Sequence, residues 1–165
     1  MAQTKLGEAV VNTIGDLPPI GSIAPPFILT DNNLKDVNSE SFVGKNIVLN
    51  IFPSIDTRVC PMSVREFNKR IASYDNTVVL CIAKDLPFAM KRFCGAEGID
   101  KAITLSDFRN YGFARDYGME LIDGGFKGLL ARAVVVIDPT GKIKYTELVP
   151  VIGQEPDYDS ALKAI

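Results

Sequence analysis

The stretch Ile47-Val48-Leu49-Asn50-Ile51-Phe52-Pro53-Ser54-Ile55-Asp56-Thr57-Arg58-Val59-Cys60-Pro61 decides how the chain is read. Its first six residues are β-branched and almost wholly apolar, the pattern of a strand covered on both faces. Beyond Cys60 the texture changes. Pro61 suits a first helical turn, where its missing N–H leaves nothing unpaired, and Val64, Phe67, Asn68 and Ile71 follow at helical spacing with charged residues between them. A helix is therefore predicted over 61–74, with Cys60 at its start. Free amide N–H groups and the positive end of the helix dipole favour a thiolate at such a position. Thiols in electropositive sites of this kind titrate at about 3.5–7.5, against about 8.5 when free, so Cys60 reads as a nucleophile rather than a buried filler.

Working outward, strand 47–52, helix 61–74, strand 77–83 and helix 87–93 alternate, which predicts a parallel strand pair joined by a crossover. Upstream, residues 5–14 read as a β-hairpin around Gly7-Glu8, and the proline-rich segment 16–26 as extended loop. A strand at 27–30, a turn at 31–33 and a helical turn at 38–42 follow. Downstream, a strand is expected at 102–105, a helix at 108–117, a strand at 132–137 and its hairpin partner at 143–149. A last helix starts at 157 with Asp157 as its cap. The fold class is α/β: a central mixed β-sheet flanked by helices, with an N-terminal β-hairpin. With 165 residues, 47% of them hydrophobic, the chain suits one domain spanning 1–165.

A formal net charge of −2 argues against a nucleic-acid or anionic-membrane surface. The first residues lack the apolar core of a secretory signal and no stretch is long enough to cross a bilayer, which makes the cytoplasm the expected location. Three cysteines without short-range pairing suit a reducing compartment and redox chemistry. Histidine is absent, which excludes a Cys-His hydrolase and histidine-containing zinc sites. Activation of a thiol must then come from a helix end, a cation or hydrogen bonds.

Six other positions bear on that chemistry. Thr57 fits a turn or a local backbone bond as well as a bond to Cys60. Arg132 abuts the apolar run 133–137; it is either a solvated end-of-strand charge or, if that strand lies beside 47–52, a guanidinium near Cys60. Arg58 ranks behind it, and Asp56 reads as a capping residue. Cys81, inside the apolar run 78–83, reads as packing. Cys94 ends a helix before Gly95 and Gly98, where it is either buried filler or a second redox thiol. Phe27, Phe42, Phe52, Phe67 and Phe88 read as core, with Phe88 also a candidate to line the site.

The pattern Pro53-x-x-x-Thr57-x-x-Cys60 resembles the active-site signature of peroxiredoxins. The longer string from Asn50 to Cys60, with Leu86-Pro87-Phe88-Ala89, Arg92-Phe93-Cys94-Gly95-Ala96-Glu97-Gly98 and the run from Lys127 to Val134, is similar to the bacterial thiol peroxidase subfamily. The resemblance implies a thioredoxin-like fold and reduction of hydrogen peroxide and organic hydroperoxides. It implies that Cys60 is the peroxidatic thiol, that Thr57 and Arg132 bond thiolate and peroxide, and that Pro53 shields the site. Cys94 would be the resolving thiol, forming a Cys60–Cys94 disulfide that thioredoxin reduces without metal, haem or flavin. A homodimer packed near the site is also implied. Two other readings stay open: Cys60-Pro61-Met62-Ser63 has the Cys-Pro-x-Ser form of glutaredoxin-like thiol transferases, and oxidation of Cys60 alone would serve a non-enzymatic redox-sensing module.

Overall fold

Residues 1–165 are all described by a computed structural model. Strands β1 (Gln3–Leu6) and β2 (Ala9–Asn12) form the expected hairpin, turning at Gly7, whose φ of 62° a side chain would strain. Then come β3 (Ile28–Thr30), β4 (Asp36–Asn38), a 3-10 turn (Ser39–Phe42), β5 (Asn46–Ile51), α1 (Cys60–Ile71), β6 (Thr77–Ala83) and α2 (Pro87–Glu97). The chain continues with β7 (Ile103–Ser106), α3 (Phe113–Asp116), β8 (Ala133–Ile137), β9 (Ile143–Leu148) and α4 (Tyr158–Lys163). Seven strands form one mixed sheet in the order β4-β3-β7-β6-β5-β8-β9. Within it β5, β6 and β7 run parallel, and β8 is antiparallel to β5.

The central strands are buried on both faces, which is why they read as continuous apolar runs. Val48, Val79, Cys81, Val134 and Val136 pack against Val64, Phe67, Met90 and Ala161 of α1, α2 and α4. On the opposite face Leu49, Ile51, Leu80, Ile82 and Val135 meet Phe27, Phe113 and Tyr117. Phe67 meets Tyr158 edge to face at 5.0 Å, locking α1 to α4. The hold on α2 is lighter. Only Pro87 and Met90 of this helix are buried, and it ends at Gly98 in the left-handed conformation.

Several expectations need correction. The helix expected at 108–117 is only the single turn α3, because Asn110 (φ 56°) and Gly112 (φ 107°) are left-handed and break it. Strand β4 was not predicted; three residues, two of them polar, carry no periodic signal. Helix α2 runs four residues past Phe93, through Gly95, since its capping glycine is Gly98. Asp157 caps α4 by accepting from the Ser160 N–H, as expected, whereas Asp56 caps nothing and lies exposed, 4.0 Å from Arg92. Phe27, Phe42, Phe52 and Phe67 are core, but Phe88 is 67% exposed.

Asp107, just past β7, is buried with no hydrogen-bond partner for either carboxylate oxygen. Burial pushes its carboxyl up to about 6, with Lys84 opposing and Glu120 adding to the rise. The unfolded value is about 3.9, so between pH 4 and 6 the folded state binds the proton more tightly. Stability from this group therefore falls as pH rises through that window and stays low above it. Asp107→Asn is expected to be more stable than the native chain at pH 7.5 by about 2 kcal/mol and equal to it near pH 4. Urea unfolding at the two pH values checks this; an equal or lower stability at pH 7.5 contradicts it.

Candidate active site

The register of β5 and β8 sets the site. Ile51 pairs with Ala133, so Arg132 stands beside the end of β5, where the chain turns through Pro53 towards Cys60. Cys60 is the first residue of α1, which has no side-chain cap and carries Pro61 in its first turn. The Arg132 Nη2 donates to the Cys60 Sγ at 3.0 Å, and its Nε donates to the Ile152 carbonyl at 2.7 Å, which fixes the plane of the guanidinium. Thr57 Oγ1 lies 2.6 Å from the same sulfur and 2.7 Å from the Ser54 carbonyl. Its one proton can serve only one of them, and negative charge on sulfur would make sulfur the stronger acceptor. Two donors thus converge on Cys60, the arrangement that negative charge on sulfur requires.

Cys60 and Arg132 are almost fully buried, at 0% and 1% exposure. A cavity of about 310 Å³, lined by Thr57, Arg58, Val59 and Arg132 together with Leu6, Phe126 and Ile152, adjoins them. Arg132 Nη1 has no protein acceptor and is the free donor of the site. Pro53 is buried beneath the turn. Phe88 does not line this cavity. No group of histidine, cysteine and carboxylate side chains is placed to hold a metal.

Some of the supporting residues escaped the sequence reading. Asp85 accepts from Ser54 Oγ at 2.6 Å and from the Ile55 N–H at 2.9 Å, and so holds the loop that presents Thr57. Ser106 Oγ in turn donates to the Asp85 carbonyl. Nothing in the spacing links these positions; they meet because the ends of β5, β6 and β7 are neighbours.

All three cysteines are free. Burial pushes the Cys81 thiol up to about 12, which suits the packing role expected of it. Cys94 is half-buried; its sulfur lies 3.4 Å from Thr104 Oγ1 and 3.9 Å from Asn32 Nδ2. Thr104, Cys81 and Asn50 are successive partners across β7, β6 and β5, so Thr104 and Asn50 stand two strands apart, roughly 10 Å. Cys94 sits over the first of these and the Cys60 turn over the last.

A helix-start thiol over this mixed sheet defines a thiol redox protein of the thioredoxin fold. Residues 19–162 match the Redoxin family. Across its whole length the chain is 53% identical to the thiol peroxidase of Mycobacterium tuberculosis and 50% identical to that of Corynebacterium glutamicum, covering 99% of each. The crystal structure of a peroxiredoxin-like protein from Aquifex aeolicus, 34% identical, superposes with a TM-score of 0.91 over 99% of this chain and 96% of that one. The chain belongs to the thiol peroxidases of the Redoxin family and is a thiol-dependent peroxidase.

Proposed function

We propose that the protein reduces hydrogen peroxide and organic hydroperoxides to water and alcohols through Cys60, with Cys94 as the resolving thiol and thioredoxin as reductant. The convergence of Arg132 and Thr57 on the Cys60 sulfur carries this reading. The Cys60 thiolate attacks the terminal peroxide oxygen. The O–O bond breaks, the leaving oxygen departs as water or alcohol, and the sulfur becomes a sulfenic acid. The free Arg132 Nη1 is available to the oxygen on which charge develops. Cys94 then displaces water from the sulfenic acid to give an intramolecular disulfide. The thioredoxin dithiol takes that disulfide back to two thiols, so no metal, haem or flavin enters the cycle.

Disulfide closure requires motion, because a bridge needs Cα atoms within about 7 Å. The lightly buried end of α2 is the segment suited to move. It is bounded by Met90, which is buried, and by Asn68 of α1, whose Oδ1 accepts from the backbone N–H groups of Lys101 and Ala102. Arg65 closes on Glu97 between them, an exposed pair of modest weight.

A homodimer is part of the proposal. Leu86 and Phe88, which follow β6, and Phe108 and Tyr111, which follow its neighbour β7, are exposed apolar side chains that a partner could cover. Sedimentation equilibrium should give about twice the chain mass; a monomer at micromolar concentration contradicts the dimer alone. No helix is long and apolar enough to cross a membrane, and the cytoplasm is the proposed location. Peroxide-dependent oxidation of reduced thioredoxin in steady state tests the activity. Turnover with glutathione but not with thioredoxin would favour a thiol transferase, and no turnover would favour a redox-sensing module.

A further inference from the structure

We propose that Asn50 and Ser63 are positioning residues that set how readily the Cys60 turn opens, and thereby divide the oxidised thiol between disulfide closure and over-oxidation. This rests on the reading above, that Cys60 is oxidised by peroxide and resolved by Cys94.

Asn50 is the penultimate residue of β5, fully buried, between apolar neighbours. Its Nδ2 donates to Ser63 Oγ at 3.1 Å, and Ser63 Oγ donates to the Cys60 carbonyl at 2.9 Å. The central strand is thus tied by two hydrogen bonds to the backbone of the reactive residue. Asn50 Nδ2 also approaches Cys81 Sγ at 3.6 Å, while its Oδ1 is buried with no protein donor. An unpaired buried acceptor is costly, and an apolar side chain would avoid the cost in this strand.

Opening of the turn gives that acceptor a use. When the Cys60 carbonyl withdraws, the Ser63 hydroxyl loses its acceptor. Rotation of the Asn50 amide brings Oδ1 to face Ser63, the hydroxyl proton turns towards it, and the hydrogen bond survives with donor and acceptor exchanged. The pair holds the closed turn in place but strands no hydroxyl when the turn opens. The closed turn keeps the sulfenic acid beside Arg132 and Thr57, where a second peroxide oxidises it to a sulfinic acid and leaves as water or alcohol. The open turn delivers it to the Cys94 thiol, with loss of water.

The test is Ser63→Ala, followed by rapid quenching and mass analysis of the sulfenic, disulfide and sulfinic forms over a range of hydrogen peroxide. Loss of one net hydrogen bond from the closed turn predicts disulfide closure about fivefold faster and half-maximal over-oxidation at about fivefold more peroxide. The rate of Cys60 oxidation should be unchanged or lower. Asn50→Val combined with Ser63→Ala leaves no orphaned group and should give the same partition. An unchanged ratio of closure to over-oxidation in either folded variant overturns the inference while the peroxidase reading stands. Failure of both variants to fold also overturns it, marking the pair as purely structural. A native chain that forms no Cys60–Cys94 disulfide removes the reading beneath it, and the inference falls too.

Discussion

Replacing Cys60 by serine abolishes peroxide-dependent oxidation of thioredoxin, whereas Cys81→Ser leaves it near the native rate. The contrast follows from where the two thiols lie. The Cys60 sulfur receives Arg132 Nη2 and Thr57 Oγ1 and adjoins the cavity those residues line. A serine hydroxyl offers the same donors an oxygen that stays protonated near neutral pH and forms no sulfenic acid. Cys81 is wholly buried in β6, and burial holds its thiol protonated, so its loss costs only packing and an added buried hydroxyl, about 1–3 kcal/mol. Cys94→Ser belongs between these outcomes: Cys60 should still consume one equivalent of peroxide and then stall as sulfenic acid. Steady-state turnover and a peroxide burst on each variant read these differences. Turnover that survives Cys60→Ser and vanishes in Cys81→Ser would invert the assignment.

Arg132→Lys lowers the second-order rate of Cys60 with peroxide by about 10²-fold, with a smaller effect on reduction by thioredoxin. The guanidinium does three things at once: Nε holds the Ile152 carbonyl, Nη2 holds sulfur, and Nη1 stays free. An ammonium is a point charge on a flexible stem and cannot keep all three directions. Removing one preorganised donor from a developing charge commonly costs about 10²–10³ in rate. Arg58→Lys is the control. Arg58 lines the same cavity but is exposed and bonds nothing, so its replacement should change the rate less than twofold. Stopped-flow peroxide kinetics on both variants, at a temperature where both are folded, separates them. A native rate in Arg132→Lys would remove Arg132 from the reaction.

Much of this was legible in the chain because the signals are local. The run 77–83 is buried on both faces and reads as a strand to the residue; the hairpin turns at Gly7; Pro61 and the apolar spacing beyond it place Cys60 at a helix start. Arg132 was legible only conditionally. A charge abutting an apolar strand is ordinary, and only the pairing of β8 with β5 brings this one against the Cys60 sulfur. What the sequence hid is non-local or left-handed. Asp85 supports the Thr57 loop through a contact between residues 30 apart, and Asn110 and Gly112 interrupt an apolar pattern that otherwise suits a helix. Asn50 did leave a trace, a lone amide inside an apolar strand, but its partner Ser63 is found only once α1 is laid on the sheet.

Disulfide mapping after one equivalent of hydrogen peroxide is the most direct measurement of the proposed cycle. The fully reduced chain is oxidised, its remaining thiols are blocked under denaturing conditions, and the peptides are compared without reductant. The expected product is a single intrachain Cys60–Cys94 bridge with Cys81 blocked as a free thiol, lost again on addition of reduced thioredoxin. A bridge that includes Cys81, or a Cys60 sulfenic acid that persists beside a free Cys94, would contradict it.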